Sequence, residues 1–244
     1  MNRTVEADIS RSHTDFVANA SHELRTPLAS IIGYMETLAE DDQNIENTQR
    51  VRFYEIVLKE ARRLQSLVDD LLSLSRVEAE KHDQPSERIE LNGTAAQAAR
   101  DAGNERSRER VEINKATTPL YVRGDRQQIE QLVRNLVDNA LKYGAADEKV
   151  IVTLDTDDRG HARITVADKG EGIPAEHIPH LTRRFYRTDP GRSRAAGGTG
   201  LGLAIVKHIV ERHRGRLDIA SKRGQGTTVT VRIPLIADQP GTVS

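Results

Sequence analysis

Two long stretches near the start of the chain repeat apolar residues at three- and four-residue intervals, with no third stretch beside them to complete a core. From Ser12 to Glu40 the residues Val17, Ala20, Leu24, Leu28, Ile31, Met35 and Leu38 mark one face of a helix. The polar segment Asp41–Thr48 breaks the pattern. It resumes from Gln49 to Glu80 with Phe53, Ile56, Val57, Ala61, Leu64, Leu67, Val68, Leu71 and Leu72. Two such helices and a short loop predict an antiparallel hairpin. A lone hairpin buries too little apolar surface, so each seam calls for a second copy, and a dimeric four-helix bundle is the expected solution.

The texture changes after the polar segment Lys81–Arg88. A short strand is expected near Arg88–Leu91, a helix near Gly93–Gly103, and strands near Arg110–Asn114 and Leu120–Arg123. A helix follows from Asp125 to Tyr143, with Asp125 as N-cap, Gln128 in the capping-box place and Gly144 as the stop. Strands Lys149–Asp155 and Ala162–Ala167 flank a turn at Asp157-Asp158-Arg159-Gly160. An irregular stretch from Gly170 to Gly198, rich in Gly, Pro and Arg, is longer than ordinary connections and reads as a lid or binding loop. A helix (Leu201–His213) and two strands (Arg216–Ala220, Thr227–Pro234) close the domain.

The formal net charge of -1 over 244 residues provides no broad basic field, so nucleic acid is not an expected partner. The absence of cysteine excludes disulfides, thiolate metal sites and cysteine nucleophiles and fits a reducing cytosol. No apolar run is long enough to span a bilayer and no signal peptide opens the chain. The expectation is a soluble, globular chain without membrane contact, either cytoplasmic or the soluble part of a membrane-anchored protein. Aromatic residues make up only 3%, so the cores must be built from Leu, Ile, Val and Ala.

The first helix carries Ser21-His22-Glu23-Leu24-Arg25-Thr26-Pro27. At ~100° per residue, His22 points well away from the apolar face and outward, with Thr26 one turn above it on the same side. Pro27 cannot donate to the carbonyl of Glu23, which should loosen the helix beside the histidine. A neutral imidazole is a competent nucleophile, and a carboxylate on one ring nitrogen would fix the tautomer and raise the nucleophilicity of the other. The same spacing also describes an ordinary solvated histidine; His13, nine residues earlier, has neither the carboxylate nor the proline.

The second half lacks G-x-x-x-x-G-K-[ST], so nucleotide binding would need another device. Asn135, Asn139 and Lys142 form one polar stripe beside the apolar face of Ile129, Leu132, Val133, Leu136 and Ala140. Two carboxamides and an ammonium suit hydrated Mg²⁺ and phosphate oxygens, although a solvated helix face has the same composition. Strand alternation places Asp168 at the end of the row Ile164 and Val166, so its carboxylate should be partly buried and in need of a donor. The exocyclic amine of adenine is such a donor; guanine presents a carbonyl there. Gly170 and Gly172 would let backbone approach the ring, as would any Asp-Gly turn. Gly197-Gly198-Thr199-Gly200-Leu201-Gly202-Leu203 opens a helix and can cradle phosphate, and Arg183, Arg184, Arg187, Arg192 and Arg194 lie in the loop before it, either within reach of phosphate or simply solvated.

In order and spacing these segments closely resemble the sensor histidine kinases over about residues 10 to 235. Ser21–Pro27 is similar to the H box and Asn135-Leu-Val-Asp-Asn139-Ala-Leu-Lys142-Tyr143 to the N box. Asp168-x-Gly170-x-Gly172 is similar to the first G box, Arg184-Phe185-Tyr186-Arg187 to the F box, and Gly198-Thr199-Gly200-Leu201-Gly202 to the second G box. Gly224-Gln-Gly226-Thr227 matches the glycine turn that follows. Phe16-Val-Ala-Asn-Ala-Ser and His180-Leu-Thr-Arg-Arg-Phe-Tyr-Arg look most like the phosphate-regulon sensor kinases. Arg183 stands where the family usually has Glu, and Lys169 where Asn is frequent.

The resemblance implies an α + α/β architecture, a helical-hairpin dimerisation and phosphotransfer domain (11–80) followed by a Bergerat-type α/β sandwich (89–235). An upstream linker (1–10), an interdomain linker (81–88) and a tail (236–244) complete the layout. It implies that His22 is the phosphoacceptor, Glu23 its orienting base and Thr26 the residue that positions water for phosphatase chemistry. Asn139 would ligate Mg²⁺, Asn135 and Lys142 would hold phosphates of ATP, Tyr143 would pack on adenine, and Asp168 would read its amine. Phe185, Arg187, Gly198, Thr199, Gly200, Leu201 and Gly202 would order the lid, with Thr227 at the site. The implied partners are a second copy of the chain and a response-regulator receiver domain.

Overall fold

The structure is a computed structural model; it describes residues 2–40, 45–80, 83–103, 105–189, 191 and 197–236, with backbone alone for 2–15, 105 and 106. Residues 41–44 of the expected interhelical loop, Lys81 and His82 of the linker, Arg192 and Arg194 of the lid and residues 237–244 of the tail lie outside the described residues. The chain divides into two compact units, one built mainly on Met1–Leu72 and the other on Ser73–Arg192 with Gly200–Ser244.

The first unit contains α1 (Asn2–Glu40) and most of α2 (Asn47–Ala79). Helix α1 begins at Asn2, ten residues before the apolar periodicity does, because its opening turns are polar. The Tyr34 and Phe53 rings lie 5.2 Å apart, and Glu23 pairs with Arg63. As one contact moves back along α1 the other moves forward along α2, which fixes an antiparallel hairpin. Leu38 and Leu67 are buried in the seam. Helix α1 runs unbroken through Pro27. Val17, Leu28, Ile32 and Met35 on α1 and Val51, Tyr54, Leu58, Val68 and Leu72 on α2 stay exposed despite their apolar side chains.

In the second unit a two-stranded antiparallel ribbon pairs β1 (Glu87–Glu90) with β3 (Tyr121–Gly124). A five-stranded sheet has the order β2 (Val111–Asn114), β4 (Val150–Thr156), β5 (His161–Asp168), β7 (Gly226–Pro234), β6 (Arg216–Lys222). Only β2 and β4 run parallel; the other neighbours are antiparallel. Alternate residues Val150, Val152, Leu154, Ala162, Ile164, Val166, Val231 and Ile233 are buried on one face. Helices α3 (Leu91–Asp101), α5 (Arg126–Tyr143) and α6 (Gly202–Arg212) pack on the sheet, and a four-residue helix α4 (Glu105–Arg108) lies between α3 and β2. Ile129, Leu132, Val133, Leu136 and Val137 of α5 are almost inaccessible. Each such side chain contributes about 1.5–3 kcal/mol relative to exposure, so α5 is held by its apolar face and leaves its polar stripe for other work.

Two local details differ from the sequence expectation. Helix α3 starts at Leu91 rather than near Gly93, because the Glu90 carboxylate caps it by accepting from the Asn92 and Gly93 N–H groups at 3.0 and 2.7 Å. Asp125 caps α5 as expected, accepting from Gln128 N–H at 3.1 Å. The reciprocal half of a capping box does not form, since the Gln128 amide donates to Glu80 and the Asp125 N–H donates to His213 Nε2 at 3.0 Å.

Candidate functional site

In the first unit His22 is exposed on α1, as its helical phase predicts. Thr26 sits one turn later, its hydroxyl donating to the His22 carbonyl at 3.2 Å. This bond lies beside the gap that Pro27 leaves in the backbone ladder. Glu23 turns toward α2, where Arg63 Nη2 donates to its Oε2 at 3.2 Å. The expected partner of Glu23 was the neighbouring imidazole; a guanidinium from the other helix was not foreseen. Gly198 and Thr199 group with the first unit, where the Thr199 hydroxyl donates to Asp70 Oδ2 at 2.6 Å.

The second unit gathers the rest of the predicted site. Asp168 ends β5 half-buried, opposite Thr227 on β7. Burial pushes its carboxyl above the usual range, opposed by the backbone N–H groups of Gly170 and Thr227. The Gly170 N–H donates to Oδ1 at 2.8 Å. A Cβ on Gly170 would fall 2.3 Å from the carbonyl oxygen of Tyr143, so only glycine allows the first glycine box to lie against the end of α5. Tyr143 and Lys142 are exposed at that same helix end, and the helix stops where the Gly144 N–H donates to the Ala140 carbonyl at 2.8 Å.

Asn135 and Asn139 converge on the first residue of α6. The Asn135 amide donates to the Gly202 carbonyl at 3.4 Å, and the position a Gly202 Cβ would take is 3.7 Å from Asn139 Nδ2. Leu201, just before, is fully buried and anchors the helix start. Gly200 adopts φ 77° against Phe185, whose own φ is 61°, and the Phe185 N–H donates to the Gly200 carbonyl at 2.8 Å. The loop that bears Phe185 and the loop that opens α6 are thereby tied to each other.

Several contacts had no local sequence signal. Ser221 Oγ bridges the Ile173 N–H (2.8 Å), the Gly226 carbonyl (2.9 Å) and the Thr227 hydroxyl (2.9 Å), fixing the strand end opposite Asp168. Arg184 pairs with Glu78, which also lies 3.2 Å from His208 Nε2. Burial pushes His208 below its ordinary value, against the pull of Glu78 and Glu211. At the two departures from the family pattern, Lys169 is exposed and pairs with Glu148 at 3.0 Å, and Arg183 is exposed. Among the described residues no group of three His, Cys, Asp or Glu could hold a metal ion. A cation here would therefore rely on phosphate oxygens, water and a carboxamide oxygen such as that of Asn139, a donor set that suits Mg²⁺. No helix among the described residues is long and apolar enough to cross a membrane.

Two families match this chain, the His Kinase A (phospho-acceptor) domain over residues 12–80 and the histidine kinase-, DNA gyrase B-, and HSP90-like ATPase over residues 124–237. The phosphate regulon sensor protein PhoR of Pseudomonas aeruginosa is 38% identical over 230 residues, covering 91% of this chain and 52% of that protein. The chain thus spans about half the length of that curated relative. Among solved structures, the Acinetobacter baumannii histidine kinase AdeS aligns with TM-score 0.66 and 25% identity, covering 88% of this chain and 98% of that one. The mycobacterial sensor histidine kinase MprB is 30% identical with TM-score 0.51, covering 62% of this chain and 97% of that one. With a phospho-acceptor helical hairpin and an ATPase-type α/β unit in one chain, the protein belongs to the sensor histidine kinase family.

Proposed function

We propose that this chain is an ATP-dependent protein-histidine kinase that phosphorylates its own His22 and passes the phosphoryl group to an aspartate of a response-regulator receiver domain. The observation that carries the reading is the convergence of Asn135 and Asn139, in the C-terminal half of α5, on Gly202 at the N-terminus of α6, with Gly170 and Asp168 against the C-terminal end of the same α5. Backbone N–H groups at a helix start favour phosphate. Asp168 supplies a carboxylate acceptor for an adenine amine, and Tyr143 an exposed ring beside it. Asn139 would hold Mg²⁺, which when bound neutralises charge on the phosphates. Asn135, Lys142 and Arg187 would orient the phosphate chain, with Gly172, Phe185, Leu201 and Thr227 shaping the lid and floor.

In the transfer, a lone pair on one ring nitrogen of His22 forms the N–P bond. The bond from the γ-phosphorus to the bridging oxygen breaks and its electrons leave with ADP. The proton on the other ring nitrogen passes to Glu23. Catalysis is mostly positioning and charge neutralisation. Thr26, fixed one turn from His22, would place a water for hydrolysis of the phosphorylated regulator. The hairpin is expected to dimerise, with domain limits of 11–80 and 89–235 about a linker at 81–88. Membrane anchoring of a longer protein fits the same layout.

Incubation with γ-labelled Mg·ATP tests the reading. Acid-labile label on wild type and none on His22→Gln, with ATP affinity equal in both, supports it. ATP binding without label would instead indicate a regulator-binding or phosphatase scaffold, and phosphate release that survives His22→Ala a clamp-like ATPase.

A further inference from the structure

The buried face of the five-stranded sheet ends in a polar row. Asp168 of β5 pairs with Thr227 of β7, and Thr227 pairs with Ser221 of β6. Paired residues on antiparallel strands point to the same face, so the three side chains stand in line across the sheet. The row behind them, Val166, Val229 and Ile219, is apolar. The hydroxyl protons of the polar row follow by elimination. Ser221 has one such proton and three partners. The Ile173 N–H can only donate to Ser221 Oγ (2.8 Å), and the Gly226 carbonyl can only accept from it (2.9 Å). The Ser221 proton is thereby committed to Gly226. In the third bond, at 2.9 Å, the Thr227 hydroxyl must therefore be the donor. A threonine hydroxyl beside a carboxylate would otherwise turn its proton toward that carboxylate and occupy one of its acceptor positions. Ser221 removes that choice.

We propose that Ser221 is a positioning residue that sets base specificity, by taking the Thr227 proton and so placing two acceptors side by side. The Asp168 carboxylate and the Thr227 oxygen together suit the two N–H groups of the adenine amine, directly or through a bridging water. They repel a purine that carries a carbonyl at the same place. A site built from acceptors rejects such an analogue because like groups face each other without a proton between them. The inference rests on ATP binding at this site. Ser221 touches no reacting atom and acts through the hydroxyl of its neighbour.

The test is calorimetric titration of the full chain with ATP and with inosine triphosphate, which has a carbonyl in place of the amine. Wild type should prefer ATP. In Ser221→Ala the Thr227 hydroxyl regains its rotation and can donate to that carbonyl. The preference should narrow by roughly tenfold, the worth of one hydrogen bond. Ser221→Thr keeps the hydroxyl and should restore it. In a Thr227→Val background, Ser221→Ala should leave the ratio of the two affinities unaltered, because the group it orients is gone. Equal weakening of both nucleotides by Ser221→Ala would overturn the proposal and make Ser221 a structural tie alone. The nucleotide-free protein supplies a second reading. In mixed H₂O and D₂O, the ¹³Cβ signal of a threonine splits when its hydroxyl exchanges slowly. Thr227 should show two lines in wild type and one in Ser221→Ala; a single line in wild type would also sink the idea. Should Ser221→Ala unfold, Ser221→Cys, with a weak acceptor of similar size, takes its place in each comparison. If wild type binds neither nucleotide, the ATP reading fails and the proposal with it. The split Thr227 signal then shows that the failure lies with the ligand and not with the Ser221–Thr227 bond.

Discussion

His213 Nε2 accepts the backbone N–H of Asp125 at 3.0 Å, while its Nδ1–H donates to the Ile209 carbonyl at 2.7 Å. These two bonds fix one neutral tautomer. They join the C-terminus of α6 to the N-terminus of α5, the two helices whose other contact places Gly202 against Asn135. Burial, the largest influence, holds the imidazole below its ordinary value.

The sign of the pH effect follows. A histidine depressed in the fold binds fewer protons there than in the unfolded chain, so its contribution to stability is complete above the ordinary histidine value. That contribution shrinks as pH falls below it toward the depressed folded value. Unfolding by urea should therefore show a midpoint that drops on acidification through this window. His213→Leu should flatten that part of the profile. It should also lower stability at neutral pH by about 1–3 kcal/mol, because the Asp125 N–H loses its acceptor. An unchanged slope in the variant would assign the acid sensitivity elsewhere.

Asp168 is expected to trade stability for ligand. Its carboxyl is raised by burial, so the penalty is absent below the ordinary aspartate value, grows as pH rises toward the folded value, and is fully present at neutral pH. Asp168→Asn removes the buried charge and can still accept from Gly170. The second unit should melt at a higher temperature at pH 7 and show no gain at acidic pH. ATP affinity should fall, since an amide carbonyl is a weaker acceptor for the adenine amine. A charged-acceptor bond is worth about 1.5–3 kcal/mol, or roughly tenfold to a hundredfold in Kd. Calorimetric titration and thermal melts at two pH values measure both halves.

Gly200 joins two loops through one backbone bond to Phe185. Its φ of 77° is unfavourable for other residues, and an added Cβ would sit 2.9 Å from the Phe185 Cα. Gly200→Ala should cost about 1–2 kcal/mol locally from the left-handed backbone alone. The Phe185 loop would separate from the start of α6. Hydrogen exchange at the Phe185 amide should accelerate and the Kd for ATP should rise, with far-ultraviolet circular dichroism unaltered. Retained protection at that amide would show that the bond does not hold the loops together.

The elements whose signals are local were legible in the sequence. The Asp125 cap and Gly144 stop of α5, the outward phase of His22 and the half-buried end position of Asp168 follow from spacing within one helix or strand. The features that escaped depend on residues distant in sequence. Whether Gln128 would complete its capping box was decided by His213, 88 residues away, which took the Asp125 N–H first. Arg63 could be matched to Glu23 only once the register of the hairpin was known. Helix α4 is a single turn with no periodicity to read, and Glu90 does the work of a cap although the usual capping residues are Ser, Thr, Asp and Asn. The boxes named the candidate residues, but Gly202 against Asn135 and Gly170 against Tyr143 are consequences of how the sheet and helices stack.

The hairpin makes a prediction about assembly. Leu28 on α1 and Leu58 and Leu72 on α2 are 47%, 50% and 53% exposed, alongside Ile32, Met35 and Tyr54. Apolar side chains at helical spacing on both helices, left uncovered by the seam between them, match the face that a second hairpin would bury in a four-helix bundle. Burying each such leucine is worth about 1.5–3 kcal/mol, and in a symmetric pair each counts twice. A buried glutamate at one position reverses that gain and adds an unpaired charge. Leu58→Glu should therefore convert a dimer to a monomer at micromolar concentration by sedimentation or light scattering. The second unit has its own core, so its ATP affinity should stay unchanged. A variant that remains dimeric would place the assembly surface on another face of the hairpin.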